Sequence, residues 1–278
     1  MNYIQITDGI KVTGVQKFDL AQTLDCGQSF RWKINGNNHF CGVAYGKYAE
    51  IYFDNDDLII RNATIEDFEK IWKEYFDLDT DYEFIKTEIA KIHPILAEAS
   101  AYAGGIRILK QEPFEALCSF IISQNNNIKR ISGIIDRLCQ NFGEQTADGN
   151  YKFVTAERLA SLTAEDLAPL RAGFRARYLI DAAQKVANGT VNLEACFTLD
   201  YESARKELMQ IVGVGTKVAD CTLLFGMHRI EAFPVDVWIK KAMATLFPTM
   251  TASDFGPYAG IAQQYIFHYS RMHQDLFK

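Results

Sequence analysis

The chain has 278 residues, of which 48% are hydrophobic and 23% charged, and its formal net charge is −6. This length and composition allow a buried core without disulfide or metal support, and they exclude a disordered or fibrous protein. No apolar run approaches the ~18 residues of a membrane span, and the first residues lack a secretory pattern, so we expect a cytoplasmic protein. Residues 1–100 carry 10 Lys and Arg against 17 Asp and Glu, so the acidity is local and does not exclude a nucleic-acid partner.

Residues 1–62 alternate in polarity and are interrupted by turn residues, which predicts an antiparallel sheet with short hairpins. The clearest strands are His39–Ala44, Tyr48–Phe53 and Leu58–Arg61. From Thr64, which suits an N-cap, the apolar residues recur at helical spacing. We expect further helix over Asp79–Ala97, ending before a break at Gly104 and Gly105.

Beyond this break nearly every segment has helical periodicity. The predicted helices are Pro113–Ser123, Asn127–Phe142, Thr155–Ser161, Thr163–Leu170, Arg177–Asn188, Tyr201–Val212, Thr216–Met227, Asp236–Leu246 and Tyr258–Tyr269. We therefore predict an α+β protein with an N-terminal antiparallel β-sheet domain with flanking helices over 1–104 and a helical region over 105–278.

Six cysteines are scattered along the chain without a CxxC pair or a spacing typical of zinc ligands. Isolated cysteines of this kind are usually small buried apolar residues. We therefore expect neither a metal site nor an iron–sulfur cluster.

The segment 208–221, LMQIVGVGTKVADC, predicts two helices joined by the tight turn Gly213-Val214-Gly215. Two glycines around one apolar residue allow positive φ and close backbone approach. The turn amides and the start of the second helix would together suit a phosphate, without any basic patch. An ordinary helix corner with a glycine cap explains the same pattern, and the turn alone does not separate the two interpretations.

Lys217 follows this turn, in the first turn of a helix, where the helix dipole disfavours a cation. An amine in that position is a candidate nucleophile, whereas a solvated surface lysine is the alternative. Asp236 comes after Pro234 at a predicted helix start, so it is either a structural N-cap or a carboxylate that also faces Lys217. In the second case it would stabilise positive charge that develops on a sugar or take part in proton transfer.

The turn segment and the later FPVDVWI segment together resemble the helix–hairpin–helix, Gly-Pro-Asp superfamily of DNA base-excision glycosylases. The resemblance implies a helix–hairpin–helix at about 201–227 and a catalytic aspartate segment at 232–246. It also implies that Lys217 is the nucleophile, that Asp236 is the catalytic aspartate, and that the backbone around the turn binds DNA. The implied DNA-binding positions of this turn are Gly213, Gly215 and Val218.

Further segments resemble 8-oxoguanine DNA glycosylases, and they occur in the family's order through nearly the whole chain. They are CGQSFRW at 26–32, FIISQNNNIKR at 120–130, GFRARY at 173–178 and GPYAGIAQQYIF at 256–267. The resemblance implies a TATA-binding-protein-like N-terminal sheet and a helical glycosylase region.

The resemblance assigns four residues to a pocket for a flipped base. Gly27 matches the glycine whose carbonyl accepts from the N7–H that only the oxidised guanine carries. Cys221 and Phe267 match the pair that sandwiches the base, and Gln263 matches the glutamine that reads its Watson–Crick edge. A donor that replaces a bare acceptor at N7 turns a repulsive contact into a hydrogen bond, which explains how such a site discriminates.

Four more residues are assigned to the opened duplex. Asn125 matches the asparagine that fills the space left by the base, and Arg130 and Arg175 match the arginines that bind the orphaned cytosine. Phe174 stands where the family has a tyrosine wedge, so one polar contact is lost. Trp238 is a second departure, since it replaces a histidine that contacts phosphate in relatives.

The implied activity is excision of 8-oxoguanine opposite cytosine in double-stranded DNA by a bifunctional glycosylase and AP lyase. It needs no cofactor, and the family resemblance implies a monomer in the cytoplasm, associated with the nucleoid in a prokaryote. Three alternatives remain open at this point. They are a glycosylase of the same superfamily for another damaged base, a non-catalytic hairpin module that binds DNA, and a helical scaffold that binds protein.

Overall fold

The computed structural model of the chain describes residues 1–36 and 39–277. The N-terminal strands are β1 (Asn2–Ile6), β2 (Gly9–Thr13), β3 (Lys33–Ile34), β4 (Phe40–Ala44), β5 (Lys47–Asp54) and β6 (Asp57–Arg61). They form one antiparallel sheet in the order β1-β2-β6-β5-β4-β3. The predicted sheet and its three clearest strands are confirmed.

The hairpin between β4 and β5 shows why the sheet is built from close sequence neighbours. Ala44 pairs with Lys47, and both intervening residues have positive φ, 50° at Tyr45 and 69° at Gly46. Two consecutive positive φ values define a two-residue turn whose twist matches that of the strands. The register of β4 on β5 is therefore set locally.

A helical segment covers one face of the sheet. It consists of α2 (Ile65–Asp67), a π-helical turn at Phe68–Trp72 and α3 (Lys73–Tyr75). Thr64 is its N-cap as predicted, and its hydroxyl accepts from the Asp67 N–H. The Asp67 carboxylate in turn accepts from the Thr64 backbone N–H. The sheet and this segment share a core that includes Ile10, Ile51, Leu58, Phe68, Trp72 and Phe76.

Beyond the sheet the chain is mainly helical. Helix α1 (Leu20–Leu24), which was not predicted from the sequence, lies between β2 and β3. The further helices are α4 (Tyr82–Ile92), α5 (Pro94–Tyr102), α6 (Pro113–Ser123), α7 (Ile128–Phe142), α8 (Ala156–Ala160), α9 (Arg175–Ala187), α10 (Tyr201–Leu208), α11 (Thr216–Gly226), α12 (Val237–Leu246) and α13 (Ala259–Met272). Their apolar faces form one large core, into which α6 and α11 pack against each other.

The two cores are connected through the segment that precedes β3. Cys26 and Phe30 belong to the helical core, although they lie in the N-terminal part of the chain. Leu109, beyond the Gly104-Gly105 break, belongs to the sheet core. The division of the chain at residue 104 stays a prediction.

A proline shapes the helical structure of two predicted segments. The segment Asp79–Ala97 contains two helices, since Pro94 forces His93 into an extended conformation with φ −158° and ψ 143°. In Thr163–Leu170 only the 3₁₀ turn Ala168–Leu170 forms, and it contains Pro169. Proline has no N–H to donate to the preceding turn, so the first segment is divided into two helices and the prediction of an α-helix in the second is wrong.

The helix predicted at Tyr201–Val212 ends at Leu208. The Val212 N–H instead donates 2.7 Å to a carboxylate oxygen of Asp181, on α9. A distant side chain thus replaces the helical acceptor, and the chain turns toward Gly213. None of the described helices combines the length and hydrophobicity that a membrane crossing requires.

Candidate active site

Helices α6, α11, α12 and α13 surround a cleft of about 540 Å³. A second cleft of about 650 Å³ begins beside it and extends to Gly215 at the start of α11. The residues common to the walls of both are Ser123, Asn126, Lys217, Asp236 and Trp238. The two side chains that the sequence singled out for chemistry, Lys217 and Asp236, therefore lie together where the clefts meet.

Lys217 is the second residue of α11, and its side chain is half-buried against α6. Its Nζ donates a hydrogen bond of 3.2 Å to Ser123 Oγ. The same atom lies 5.3 Å from the centroid of the Phe120 ring, which attracts a cation through its electron-rich face. The amine is thus held inside the cleft and does not extend into bulk solvent.

Asp236 is the N-cap of α12, as predicted, and its carboxylate accepts a bond of 2.8 Å from the Ile239 N–H. Burial raises the pKa of Asp236, while the Ile239 N–H and the charge of Lys217 act in the opposite direction. A carboxylate that water solvates poorly interacts strongly with a nearby cation. The residue is therefore both a structural cap and a candidate electrostatic partner for Lys217.

Cys221 lies one turn after Lys217 and is 4% exposed. Burial raises the pKa of its thiol to about 11. The thiol is therefore neutral near pH 7, and a neutral thiol is a poor nucleophile. Cys221 is therefore part of the pocket wall and not a candidate nucleophile.

The turn that precedes α11 has the backbone geometry expected of a phosphate site. Gly213 has a φ of 81°, and Gly215 is the N-cap of α11 without a capping side chain. The N–H groups of the first helical turn have no helical acceptor, so they are available to a ligand. Val218, which was predicted to bind DNA at this turn, is only 3% exposed as a whole residue.

Helix α9 contacts this turn through the side chains of Asp181 and Tyr178. The Asp181 carboxylate accepts from the Val212 N–H at 2.7 Å and from Lys185 Nζ at 3.0 Å. Lys185 Nζ also donates 2.7 Å to the Gln210 carbonyl. The ring of Tyr178 packs so closely under Gly213 that a β-carbon there would overlap it.

A smaller cavity of about 50 Å³ lies between Cys221 and Phe267, and Gly27 and Gln263 form part of its wall. The structure thus brings together the four residues predicted to bind a base. Gln263 is 3% exposed, and its Nε2 donates 3.1 Å to the Pro234 carbonyl. The walls of this cavity and of the 540 Å³ cleft share Gly27, Phe120, Lys217 and Phe267, so the two adjoin each other.

Gly27 is presented to this cavity by its neighbour Gln28, which is fully buried. The Gln28 side chain donates 2.8 Å to the Arg107 carbonyl and accepts 2.9 Å from the Leu109 N–H. Gly27 itself has a φ of 87°, a conformation that favours glycine. The two hydrogen bonds of Gln28 therefore hold the loop that carries the Gly27 carbonyl against Arg107 and Leu109.

The residues predicted to contact the opened duplex lie in the wall of the second cleft, in the first turn of α7 and at the start of α9. Asn125 is exposed and has a φ of 47°, and Phe174 is 45% exposed at the start of α9. Arg130 is exposed in the first turn of α7. Arg175 differs, because it is 3% exposed and its guanidinium donates to the carbonyls of Gln124 and Asn125.

Several residues of the cleft escaped the sequence interpretation. Phe120 and Ser123 contact the Lys217 amine, and Arg271 lies 5.4 Å over the ring of Phe267. The helical periodicity of α6 indicates that Phe120 is buried, but it cannot indicate that α11 places an amine above it. Within residues 1–36 and 39–277, no group of three or more His, Cys, Asp or Glu side chains is arranged to hold a metal.

Comparison with known proteins agrees with this geometry. Residues 11–117 match the family model of the 8-oxoguanine DNA glycosylase N-terminal domain, and residues 118–254 match that of HhH-GPD superfamily base excision DNA repair proteins. Since these two models cover most of the chain, it belongs to the 8-oxoguanine DNA glycosylase family of this superfamily.

Individual relatives cover the chain at different lengths. The N-glycosylase/DNA lyase of Saccharomyces cerevisiae is 36% identical in an alignment of 250 residues that covers 80% of this chain and 66% of the yeast protein. A probable N-glycosylase/DNA lyase of Methanothermobacter thermautotrophicus is 29% identical over 92% of this chain and 95% of its own. A Clostridium acetobutylicum 8-oxoguanine glycosylase/lyase, in complex with DNA containing cytosine opposite 8-oxoguanine, is 39% identical over 99% of both chains with a TM-score of 0.93.

Proposed function

We propose that this chain excises 8-oxoguanine opposite cytosine from double-stranded DNA and then cleaves the strand, with the Lys217 amine as nucleophile. The observation that carries the proposal is the position of Lys217 and Asp236. Both line the second cleft, which extends to Gly215, and the smaller cavity between Cys221 and Phe267. The predicted activity class, an N-glycosylase with DNA lyase activity, is confirmed by the names of the relatives.

The chemistry follows from two groups in the cleft. The Lys217 Nζ attacks C1′ of the deoxyribose, the Nζ–C1′ bond forms, and the C1′–N9 bond breaks with its electron pair moving to the base, which is then protonated. Asp236 stabilises the positive charge that develops on the sugar. Opening of the ring gives a Schiff base, and loss of a C2′ proton then breaks the C3′–O bond and releases the 3′ phosphate.

Selection of the oxidised base rests on the loop of Gly27. The Gly27 carbonyl is proposed to accept from the N7–H of 8-oxoguanine, whereas guanine presents an unprotonated N7 there. A buried acceptor that faces another acceptor costs about 1–3 kcal/mol for each unsatisfied group, which separates the two bases in a dry pocket. Gln28 supports this role because it restrains the loop on both sides.

Trapping with borohydride tests the nucleophile. Wild-type protein should become covalently linked to a duplex with one 8-oxoguanine, because borohydride reduces the Schiff base. Lys217→Gln should abolish the link, while Lys129→Gln should retain it, since Lys129 is another amine at the edge of the same cleft. A covalent link that persists in Lys217→Gln would assign the nucleophile to another residue.

Preference for cytosine is tested by the opposite base. Arg130 is exposed at the start of α7 and offers donors that suit the acceptors of cytosine. Excision should fall when adenine replaces the opposite cytosine, and Arg130→Ala should reduce that difference. Equal rates opposite all four bases would contradict the proposed preference.

We further infer that the chain acts as a monomer on chromosomal DNA in the cytoplasm. The proposed nucleophile, its carboxylate partner, the base pocket and the hairpin all come from one chain. Sedimentation of the protein with and without lesion DNA should show one chain per duplex. A stoichiometry of two chains per lesion would contradict this inference.

A further inference from the structure

The pocket for the base contains a buried acceptor that the proposed mechanism does not use. Gln264 follows Gln263 on α13, lines the same cavity and is 4% exposed. Its Oε1 is buried and has no hydrogen-bond partner among the described residues. A buried carbonyl oxygen without a donor is costly, so its retention beside a ligand pocket points to a donor on the ligand.

The orientation of this amide follows from its neighbours. Gln263 Nε2 donates 3.1 Å to the Pro234 carbonyl, which turns Gln263 Oε1 toward Gln264. Gln264 Nε2 then donates 2.7 Å to Gln263 Oε1. A rotated Gln264 amide would place two carbonyl oxygens against each other, so the Pro234 carbonyl determines, through Gln263, that Gln264 Oε1 is the free group.

We propose that Gln264 is a second specificity-determining residue, whose Oε1 accepts from the exocyclic 2-amino group of the flipped base. This inference rests on the proposed function, because it assumes that a purine lesion occupies the pocket. Guanine-type bases carry two neighbouring donors on the Watson–Crick edge, N1–H and the 2-amino group. Gln263 Oε1 already accepts one bond from Gln264, so a second acceptor gives each donor of the base its own partner.

The chemistry predicts which bases are refused. An adenine-type base presents an unprotonated N1 and lacks the 2-amino group, so it leaves Gln264 Oε1 without a donor. A hypoxanthine-type base retains N1–H and lacks only the amino group, which isolates the proposed contact. The pocket should therefore prefer 2-aminopurine lesions over otherwise identical bases without that group.

The experiment compares single-turnover excision of 8-oxoguanine and 8-oxohypoxanthine, each opposite cytosine, by the full-length protein. Wild type should excise 8-oxoguanine at least about tenfold faster, because the other base leaves a buried acceptor unsatisfied. Gln264→Met, which keeps the length of the side chain and removes its polar atoms, should lower that ratio about tenfold. An unchanged ratio in Gln264→Met would overturn the inference.

A matched control separates recognition from folding. Ser270 is fully buried on the same helix, its hydroxyl also has no partner among the described residues, and it does not line the described base cavity. Ser270→Ala should therefore leave the ratio unchanged. If Gln264→Met lowers both rates equally, the side chain has only a structural role and the inference fails.

A second comparison separates direct contact from an effect through Gln263. Gln264→Glu keeps an acceptor for the 2-amino group and removes the Nε2 donor to Gln263 Oε1, so the ratio should stay close to that of wild type. Loss of the preference in Gln264→Glu would make Gln264 a positioning residue only, which would overturn the direct contact. Absence of 8-oxoguanine excision by wild type is a different result, since it would remove the proposed function and this inference with it.

Discussion

Lys217 on α11 donates a hydrogen bond of 3.2 Å to Ser123, the last residue of α6. The Ser123 hydroxyl in turn donates 2.8 Å to the Phe120 carbonyl, so its lone pairs face the amine. The chain thus fixes the direction of this hydroxyl before DNA binds. Ser123 is therefore an acceptor that holds Nζ over the ring of Phe120.

Ser123→Ala should slow Schiff-base formation about tenfold, because one hydrogen bond to a charged group, worth ~1.5 kcal/mol or more, no longer restrains the amine. The rate of borohydride trapping measures this step directly. Ser119→Ala is the matched control, since Ser119 lies one turn earlier on α6 and is also buried. Equal trapping rates for wild type and Ser123→Ala would show that Phe120 alone positions the amine.

Asp236→Asn should lose excision by at least about 100-fold while the protein remains folded, because a neutral amide cannot stabilise the charged sugar. The amide oxygen can still accept from the Ile239 N–H, so the cap of α12 is retained. Burial raises the pKa of Asp236, so the folded protein binds this proton more tightly than the unfolded chain, and wild-type stability falls as pH rises through that pKa.

Asp236→Asn has no carboxyl to ionise and so lacks this pH-dependent loss of stability. Its free energy of unfolding should therefore equal or exceed that of wild type near pH 7. Urea unfolding together with single-turnover excision checks both statements. A variant that is inactive because it is unfolded would show the opposite, a midpoint well below that of wild type.

The two glycines of the hairpin should respond differently to alanine. Gly213→Ala should destabilise the protein by more than ~1 kcal/mol, because the residue has a φ of 81° and the new β-carbon would overlap Tyr178. Gly215→Ala should preserve the melting temperature, since a β-carbon there meets nothing within 4 Å.

DNA affinity then tests the phosphate site. The added methyl group of Gly215→Ala would occupy space in front of the free amides, so binding to undamaged duplex should weaken although stability is kept. Fluorescence anisotropy over a range of salt concentrations measures this loss. Unchanged affinity in Gly215→Ala would mean that the hairpin does not approach the DNA backbone.

Glu115 should make the stability depend on pH. Burial raises the pKa of this carboxyl to about 7, despite its ion pair of 3.2 Å with Arg31. The folded state holds the proton more tightly, so this contribution is fully present below the ordinary glutamate pKa and is lost as pH rises through about 7, by at most ~3 kcal/mol. Glu115→Gln should flatten the dependence of the urea midpoint on pH, and an unaltered slope would assign the effect to other groups.

Local signals explain which parts of the fold were predictable from the sequence. The bounds of α6 coincide with the prediction because Pro113 suits a first helical position and the asparagine run begins two residues after Ser123. The hairpin was predictable because Gly213 must have positive φ. The end of α10 was not, since the Asp181 carboxylate that accepts from the Val212 N–H lies 31 residues before Val212 in the chain.

The same distinction holds for the candidate site. Lys217, Asp236 and the four pocket residues could be predicted because their segments carry recognisable patterns. The structure brings all six into one region. Ser123 and Gln264 have no local signal, since their roles depend on an amine from another helix and on the order of three amide groups. Arg175 was expected to face cytosine, and its burial against two carbonyls was not visible in the segment GFRARY.

Helix α9 carries Phe174 at its start and Asp181, which holds the hairpin, two turns later. These two groups therefore cannot shift relative to each other unless the helix itself bends. Under the proposed function, a force from bound DNA on the hairpin would be transmitted through α9 to the exposed ring of Phe174. The proposed contacts with the DNA backbone and with the base stack would then move as one unit.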